Sequence, residues 1–347
     1  MNKIAVSSLT MEQMKDFVRE QGQPAFRARQ LFRWLHQRGA DGFSQMTDLP
    51  KAWISQLAET CEIERLQIRR CQRSKDGTRK YLLGLADGNC IESVWMQYSY
   101  GNTVCVSTQV GCRMGCRFCA STQGGRVRNL TAGEIAGEIY AVMRDTGERV
   151  SHIVLMGIGE PLDNFDNVMD FLSIISSPDG VNIGMRNISL STCGLVPKIY
   201  ELAQRKLQLT LSVSLHAPEN AMRSRMMPVN DAYPVEQLIA ACRDYQKITG
   251  RRISFEYSMV RGVNDSPQTA RCLAQLIRGM GAHVNLIPIN PVDGSPFTAA
   301  DSQAIHRFQA ELGRLGVNAT VRRRLGADIS AACGQLRREA KKEGTDG

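Results

Sequence analysis

Apolar positions recur in three rhythms along this chain. From Leu9 to about Thr60 the period is helical: Thr10-Met11-Glu12-Gln13 has capping-box spacing, and Met14, Phe17 and Val18 then share one face. Phe26-Arg27-Ala28-Arg29-Gln30-Leu31-Phe32-Arg33-Trp34-Leu35 sets arginines opposite aromatics, and Leu49-Pro50 breaks before a third helix. Between residues 64 and 100 the rhythm becomes alternating, around Ile68, Tyr81-Leu82-Leu83 and Ile91-Glu92-Ser93-Val94-Trp95, with Asp76-Gly77 and Asp87-Gly88 as hairpin turns. From about residue 103, apolar runs at 104–106, 152–156, 187–192, 207–215, 252–259 and 283–289 each precede a helical pattern. Those helices fall near 131–147, 164–176, 195–205, 234–249, 266–281 and 300–316. Thr131-Ala132-Gly133-Glu134 and Thr298-Ala299-Ala300-Asp301 are expected to start two of them.

Six βα units predict an α/β fold with a parallel sheet. Too little chain remains for an eight-unit barrel, so the expectation is a partial (βα)6 barrel with its site at the strand carboxyl ends. The expected organisation is a helical N-terminal domain over residues 1–62, an antiparallel β-hairpin extension over 63–100, the barrel over 101–337 and a charged tail over 338–347 that frays.

A chain of 347 residues with 43% apolar content buries enough surface to fold without disulfides. It contains no apolar run of eighteen residues, and Met1-Asn2-Lys3-Ile4-Ala5-Val6-Ser7 is too short and polar for a secretory signal. A cytoplasmic location with no membrane partner is therefore expected. In that compartment the 11 cysteines point to metal binding, catalysis or packing. The 43 basic and 34 acidic residues leave a charge of +9, which suggests an anionic partner. The excess is patchy: Arg69, Arg70, Arg73, Lys75, Arg79 and Lys80 accompany one acid, Asp76; Arg113, Arg117, Arg126 and Arg128 surround a cysteine cluster; Arg322, Arg323 and Arg324 are consecutive. Each patch could be a solvated face, but patches beside a catalytic motif suit a phosphate backbone.

That motif is Cys112-Arg113-Met114-Gly115-Cys116-Arg117-Phe118-Cys119, a C-x3-C-x2-C spacing just after the first barrel strand. Three thiolates would hold three irons of a cubane and leave the fourth open to substrate. A structural zinc would want a fourth ligand, and no cysteine or histidine lies at finger spacing beyond Cys119.

With these residues the chain resembles the radical SAM superfamily, enzymes that use S-adenosylmethionine (SAM), and within it the RlmN/Cfr family of RNA adenine methyltransferases. The resemblance runs from about Leu9 to Arg337 and includes Met156-Gly157-Ile158-Gly159-Glu160-Pro161-Leu162, Ser214-Leu215-His216-Ala217-Pro218 and Ala331-Ala332-Cys333-Gly334-Gln335-Leu336. It implies one 4Fe-4S cluster on Cys112, Cys116 and Cys119, and SAM contacts from Gly159, Glu160, Ser191, Ser214, Leu215, His216 and Asn290. Gly157 and Gly159 would let backbone approach that ligand closely.

The resemblance further implies methylation of adenine carbon 2 in 23S rRNA and at position 37 of tRNA, with two SAM molecules per turnover. Cys333 carries the methyl carbon, Glu92 in the extension is the general base, and Cys105 resolves the adduct through a disulfide. A flavodoxin-type electron donor and a monomeric chain complete the picture, with the N-terminal module as RNA-docking element. On pattern alone Cys105 and Cys333 could be core cysteines, His216 a satisfied core histidine and Glu92 a surface position. Cys61, Cys71, Cys90, Cys193, Cys242 and Cys272 read as packing residues. Three other readings stand beside this one: a C8-methylating antibiotic-resistance homologue, a radical SAM enzyme acting on a small molecule, and a non-catalytic zinc and RNA-binding protein. Cys119-Ala120-Ser121-Thr122-Gln123-Gly124-Gly125 and Ser191-Thr192-Cys193-Gly194-Leu195-Val196-Pro197 resemble the C2-methylating housekeeping enzymes rather than the C8 homologue, although Cys193 stands where those more often have serine or valine.

Overall fold

The computed structural model describes residues 3–290, 294–323, 325–326, 328–329 and 334–342, with the backbone alone over 339–342. Its frame is one ten-stranded sheet in which neighbours in space are neighbours in sequence. The strands are β1 Gln67–Arg73, β2 Arg79–Gly84, β3 Cys90–Tyr98, β4 Gly101–Cys105, β5 His152–Leu155, β6 Ile188–Thr192, β7 Thr210–Ser214, β8 Ile253–Met259, β9 His283–Pro288 and β10 Asn318–Val321. β1 to β4 form an antiparallel meander, whose turns place Gly77 and Gly88 at φ 89° and 84°. β4 to β10 run parallel. The sheet is open, since β1 and β10 lie at opposite edges.

Helices Ala132–Thr146, Phe165–Ser176, Val196–Gln204, Val235–Thr249, Pro267–Leu276 and Ser302–Arg314 fill the crossovers. The six βα units are present, and a seventh parallel strand, β10, follows them. The sequence hides it because Asn318-Ala319-Thr320-Val321 is short and half-exposed. Capping boxes start the helices at Thr10 and Thr131. At 298–301 the cap is the last residue of the quartet, Asp301, whose carboxylate accepts the Ala304 N–H at 2.7 Å. The tail is helical further than expected, through Gln335–Lys342, because Leu336 is buried against Leu82 and Cys90.

Each parallel strand has an apolar side under the helices, as with Ile253, Phe255 and Tyr257 of β8. The other side is polar: Ser191 pairs with Ser212, Ser212 with Ser254, and Glu256 with Asn285. This alternation leaves a hydrophilic face ending at the strand carboxyl termini.

The N-terminal helices Met11–Glu20, Phe26–His36 and Lys51–Thr60 share one continuous core with the barrel. Glu64 fastens the seam, accepting hydrogen bonds from Ser7 (3.1 Å), Ser8 (2.5 Å) and Thr131 (2.5 Å). Arg29 and Arg33 meet Asp179 at 2.7 and 2.8 Å. None of the described helices is long and apolar enough to cross a membrane.

His36 lies in the same seam, with Nδ1 2.9 Å from the Tyr140 hydroxyl, and burial pushes its pKa down to about 3. An unfolded histidine titrates near ~6.5. Below that pH the folded chain binds fewer protons than the unfolded one, so stability falls as the medium is acidified toward pH 3, by up to about 1.4 kcal/mol per pH unit. His36→Gln is expected to flatten this part of the profile in denaturant titrations followed by tryptophan fluorescence. An unchanged slope would show that the imidazole protonates in place without penalty.

Candidate active site

The cysteine motif sits on a loop closed at its base by a ribbon of Gln109–Gly111 and Arg126–Asn129. The Cys112 N–H donates to the Gly125 carbonyl at 3.0 Å. Gly111, at φ 79°, is needed there because any Cβ would strike the Gly125 carbonyl oxygen. Within the loop, the Cys119 N–H donates to the Cys116 carbonyl (3.1 Å), and the Thr122 hydroxyl donates to the carbonyls of Cys116 (3.1 Å) and Cys119 (2.9 Å). The Arg117 N–H reaches the Met226 carbonyl at 3.0 Å, which pins the loop to helix Asn220–Met226.

Cys112 is buried, and Cys116 and Cys119 are half-buried. Burial pushes all three thiols up, Cys112 to about 12; repulsion from the neighbouring thiols adds to it at Cys112 and Cys116, and from Glu92 at Cys119. Such a group ionises when a cation shares its charge. The donor set is all sulfur, the chemistry that iron–sulfur clusters take. Among the described residues no three His, Cys, Asp or Glu side chains converge on the position of a single ion. In donor chemistry, three thiols on one loop fit an iron–sulfur cluster.

Around this loop stand the carboxyl ends of the strands. Gly157 and Gly159 follow β5, and their close approach is to the chain's own backbone: a Cβ on Gly157 would lie 2.6 Å from the Val106 carbonyl oxygen, and one on Gly159, at φ 111°, would lie 2.8 Å from the Gln109 nitrogen. Both glycines are thus required by the fold itself. Glu160 is buried, its Oε2 accepting the Cys193 N–H at 2.7 Å and its Oε1 the Leu162 N–H at 3.1 Å, and burial raises its pKa. Ser191 is half-buried in β6; Ser214 ends β7, followed by buried Leu215. His216 adopts φ 58°. Its Nδ1 accepts the Ser258 N–H at 2.9 Å, leaving the proton on Nε2, and its ring packs edge-on to Phe118 at 4.9 Å. Burial pushes its pKa down to about 3. Asn290 is exposed just beyond β9.

Glu92 is no surface position. It is 3% exposed, and Oε2 meets the buried Lys80 ammonium at 3.0 Å. The same oxygen accepts the Gly334 N–H at 2.7 Å, while Oε1 accepts the Arg337 N–H at 2.7 Å. Gly334, at φ 81°, lies so close to the loop that a Cβ would come 2.8 Å from the Ser121 nitrogen. The base candidate, the residue after Cys333 and the turn after Cys119 thus meet. Cys333 itself, with Ala331 and Ala332, lies outside the described residues, as does Arg324. Cys105 is buried at the end of β4. No two described cysteines are disulfide-bonded, and the expected Cys105–Cys333 pairing falls on an undescribed partner.

Several expectations from composition change. Lys80 is buried rather than part of a basic face, and Arg79 and Arg73 meet Asp145 at 2.7 and 3.8 Å. Arg113 and Arg126 share Asp163, and Arg128 is divided between Asp87 and Glu134, so these three brace the loop's surroundings. Cys193 packs as expected, in a buried cluster with Met226, Met227 and Phe297, and its backbone N–H and carbonyl also link Glu160 to Arg223. Sequence reasoning put Lys80 on a basic surface patch and missed Arg223 altogether. Their only advance signal is a basic residue at a position whose neighbours alternate as a buried strand or helix face.

Residues 4–63 match the family model of the ribosomal RNA large subunit methyltransferase N-terminal domain, and residues 106–273 match that of the radical SAM superfamily. The chain is 51% identical over 338 residues, 97% of each chain, to a probable dual-specificity RNA methyltransferase RlmN of Desulforamulus reducens. It is 51% identical to a probable RlmN of Clostridium perfringens, with 96% of each chain covered. A crystal structure of a radical SAM methyltransferase from Sphaerobacter thermophilus superposes with a TM-score of 0.91 at 44% identity, covering 96% of this chain and 98% of that one. Likeness of this extent, carried by both the N-terminal helices and the cysteine-bearing barrel, makes the chain a member of the RlmN family of radical SAM RNA methyltransferases.

Proposed function

We propose that this enzyme methylates carbon 2 of an adenine in 23S rRNA and of the purine at position 37 of tRNA, with Cys333 as carrier of the methyl carbon. The observation that carries the reading is the tether from Glu92 to Gly334. It sets a water-excluded carboxylate beside both the turn after Cys119 and the segment that follows Cys333.

Adenine carbon 2 is electron-poor and bears hydrogen, so it does not displace a methyl group from a sulfonium as a nitrogen or oxygen would. Cys112, Cys116 and Cys119 would hold the 4Fe-4S cluster, with Gly159, Glu160, Ser191, Ser214, Leu215, His216 and Asn290 around SAM. When bound, the cluster and SAM supply a carbon-centred radical able to remove a hydrogen atom. The thiolate of Cys333 takes a methyl group from a first SAM by displacement. Once a hydrogen atom has left that methyl, its carbon adds to the adenine and joins RNA to protein. Glu92, 3.0 Å from the Lys80 ammonium, removes the proton from carbon 2, and the adduct radical gives up one electron, for which the oxidised cluster would be the acceptor. The Cys105 thiolate then attacks the sulfur of Cys333; the bond from that sulfur to the methylene carbon breaks, the carbon takes a proton to become the product methyl, and a disulfide remains.

An unstacked adenine is required, so RNA is gripped by backbone and splayed bases. The N-terminal module over 1–62 is the docking element in this reading, the extension over 63–100 supplies the base and the barrel over 101–337 supplies the radical chemistry. A flavodoxin-type donor provides electrons to a monomeric, cytoplasmic enzyme.

Replacing Cys333 with Ala is expected to leave iron content and SAM cleavage intact while abolishing methylation; methylation that persists rejects the carrier role. Glu92→Gln is expected to lower methylation by about 10²–10⁴-fold, with cluster content unchanged. Mass spectrometry of digested rRNA decides the carbon, since C8-methyladenosine as the product rejects C2.

A further inference from the structure

Arg223, on helix Asn220–Met226, is wholly buried. Its guanidinium makes four hydrogen bonds, all to uncharged oxygens: Nε to the Leu215 carbonyl (3.1 Å), Nη1 to Asn230 Oδ1 (3.2 Å), and Nη2 to the carbonyls of Cys193 (2.6 Å) and Ser214 (3.1 Å). Among the described residues it has no carboxylate at ion-pair distance. A guanidinium keeps its proton in proteins, so the charge persists. Carbonyl dipoles solvate this charge without neutralising it, and an unbalanced buried charge is costly.

The missing anion has an evident place. Cys116 packs against the buried apolar cluster that holds Met226 of the same helix and Cys193, whose carbonyl the guanidinium bonds. The last turn of its helix is bonded to the cysteine loop, Arg117 N–H to Met226 carbonyl at 3.0 Å. Gly194, at φ 107°, gives the guanidinium room, since a Cβ there would come 3.3 Å from Nη2. The buried acid Glu160 grips the other end of the same Cys193 peptide. Three thiolates around an iron–sulfur core make a net anion that becomes more negative on reduction, so a fixed cation close by favours the reduced form.

We propose that Arg223 is the fixed counter-charge of the cluster on Cys112, Cys116 and Cys119, raising its reduction potential while its hydrogen bonds position the Cys193 and Ser214-Leu215 segments. This rests on those cysteines being the cluster ligands. Arg223 acts on the cluster through space and is a positioning residue.

The test uses the full chain as wild type, Arg223→Lys and Arg223→Gln, reconstituted anaerobically. Iron and acid-labile sulfide are assayed, then the cluster is titrated with dithionite under electron paramagnetic resonance. Lys keeps the charge and loses the fork; Gln keeps donors and loses the charge. The expected result is a wild-type potential in Arg223→Lys and a distinctly more negative one in Arg223→Gln. Assembly in the Lys variant but not the Gln variant would also support the charge requirement. A wild-type potential in Arg223→Gln, a Lys variant shifted as far as Gln, or failure of both variants to assemble a cluster overturns the proposal and leaves Arg223 a clamp on three carbonyls. Wild-type protein lacking iron and sulfide would instead overturn the ligand assignment itself.

Discussion

The carboxylate of Glu92 has been taken out of water and answered by one ammonium and two backbone N–H groups. Much of the molecule must be in place for that arrangement to exist. β2 supplies Lys80, β3 supplies Glu92, and the helix Gln335–Lys342 supplies the two N–H groups from its first turn and the glycine before it. A buried carboxylate with any of these partners removed would be strongly destabilising. The interaction therefore holds together two parts of the chain that are more than 240 residues apart in sequence.

The barrel contributes in a different way. Its strands keep their apolar side under the crossover helices, which leaves serines, Glu256 and Asn285 on the other side. Polar groups on a parallel sheet need partners, and several find them within the face itself, as Asn285 does on Glu256 at 2.8 Å. Where the strands end, those partners give way to loop backbone and to the cysteine loop.

Much of this was legible in the chain. Three hydrophobic rhythms marked the helical start, the antiparallel extension and six βα units, because burial of one face dictates period. Capping chemistry fixed the starts at Thr10 and Thr131 for the same local reason. Local signals could not reveal β10, whose four residues take their strand conformation from pairing with β9. Nor could they show that Lys80 and Arg223 are interior, since a charged residue is buried only when distant segments bring it partners. The glycines at 157 and 159 were visible, but the neighbour that requires them, residues 106–109, lies some fifty positions away. The cysteine spacing was informative because its constraint is local.

The first strand of the sheet, β1, is half-exposed and, among the described residues, flanked on one side only. A terminal strand of this kind is a template on which another polypeptide can lay down a strand, the beginning of aggregation. Here its register is interrupted between Ile68 and Arg70, and Arg69, Arg70 and Arg73 load it with positive charge. The irregularity spoils the template, and the charges repel a like copy. A stretch of arginines that composition alone would assign to a partner thus also suits the border of a sheet, where charge opposes the addition of another strand.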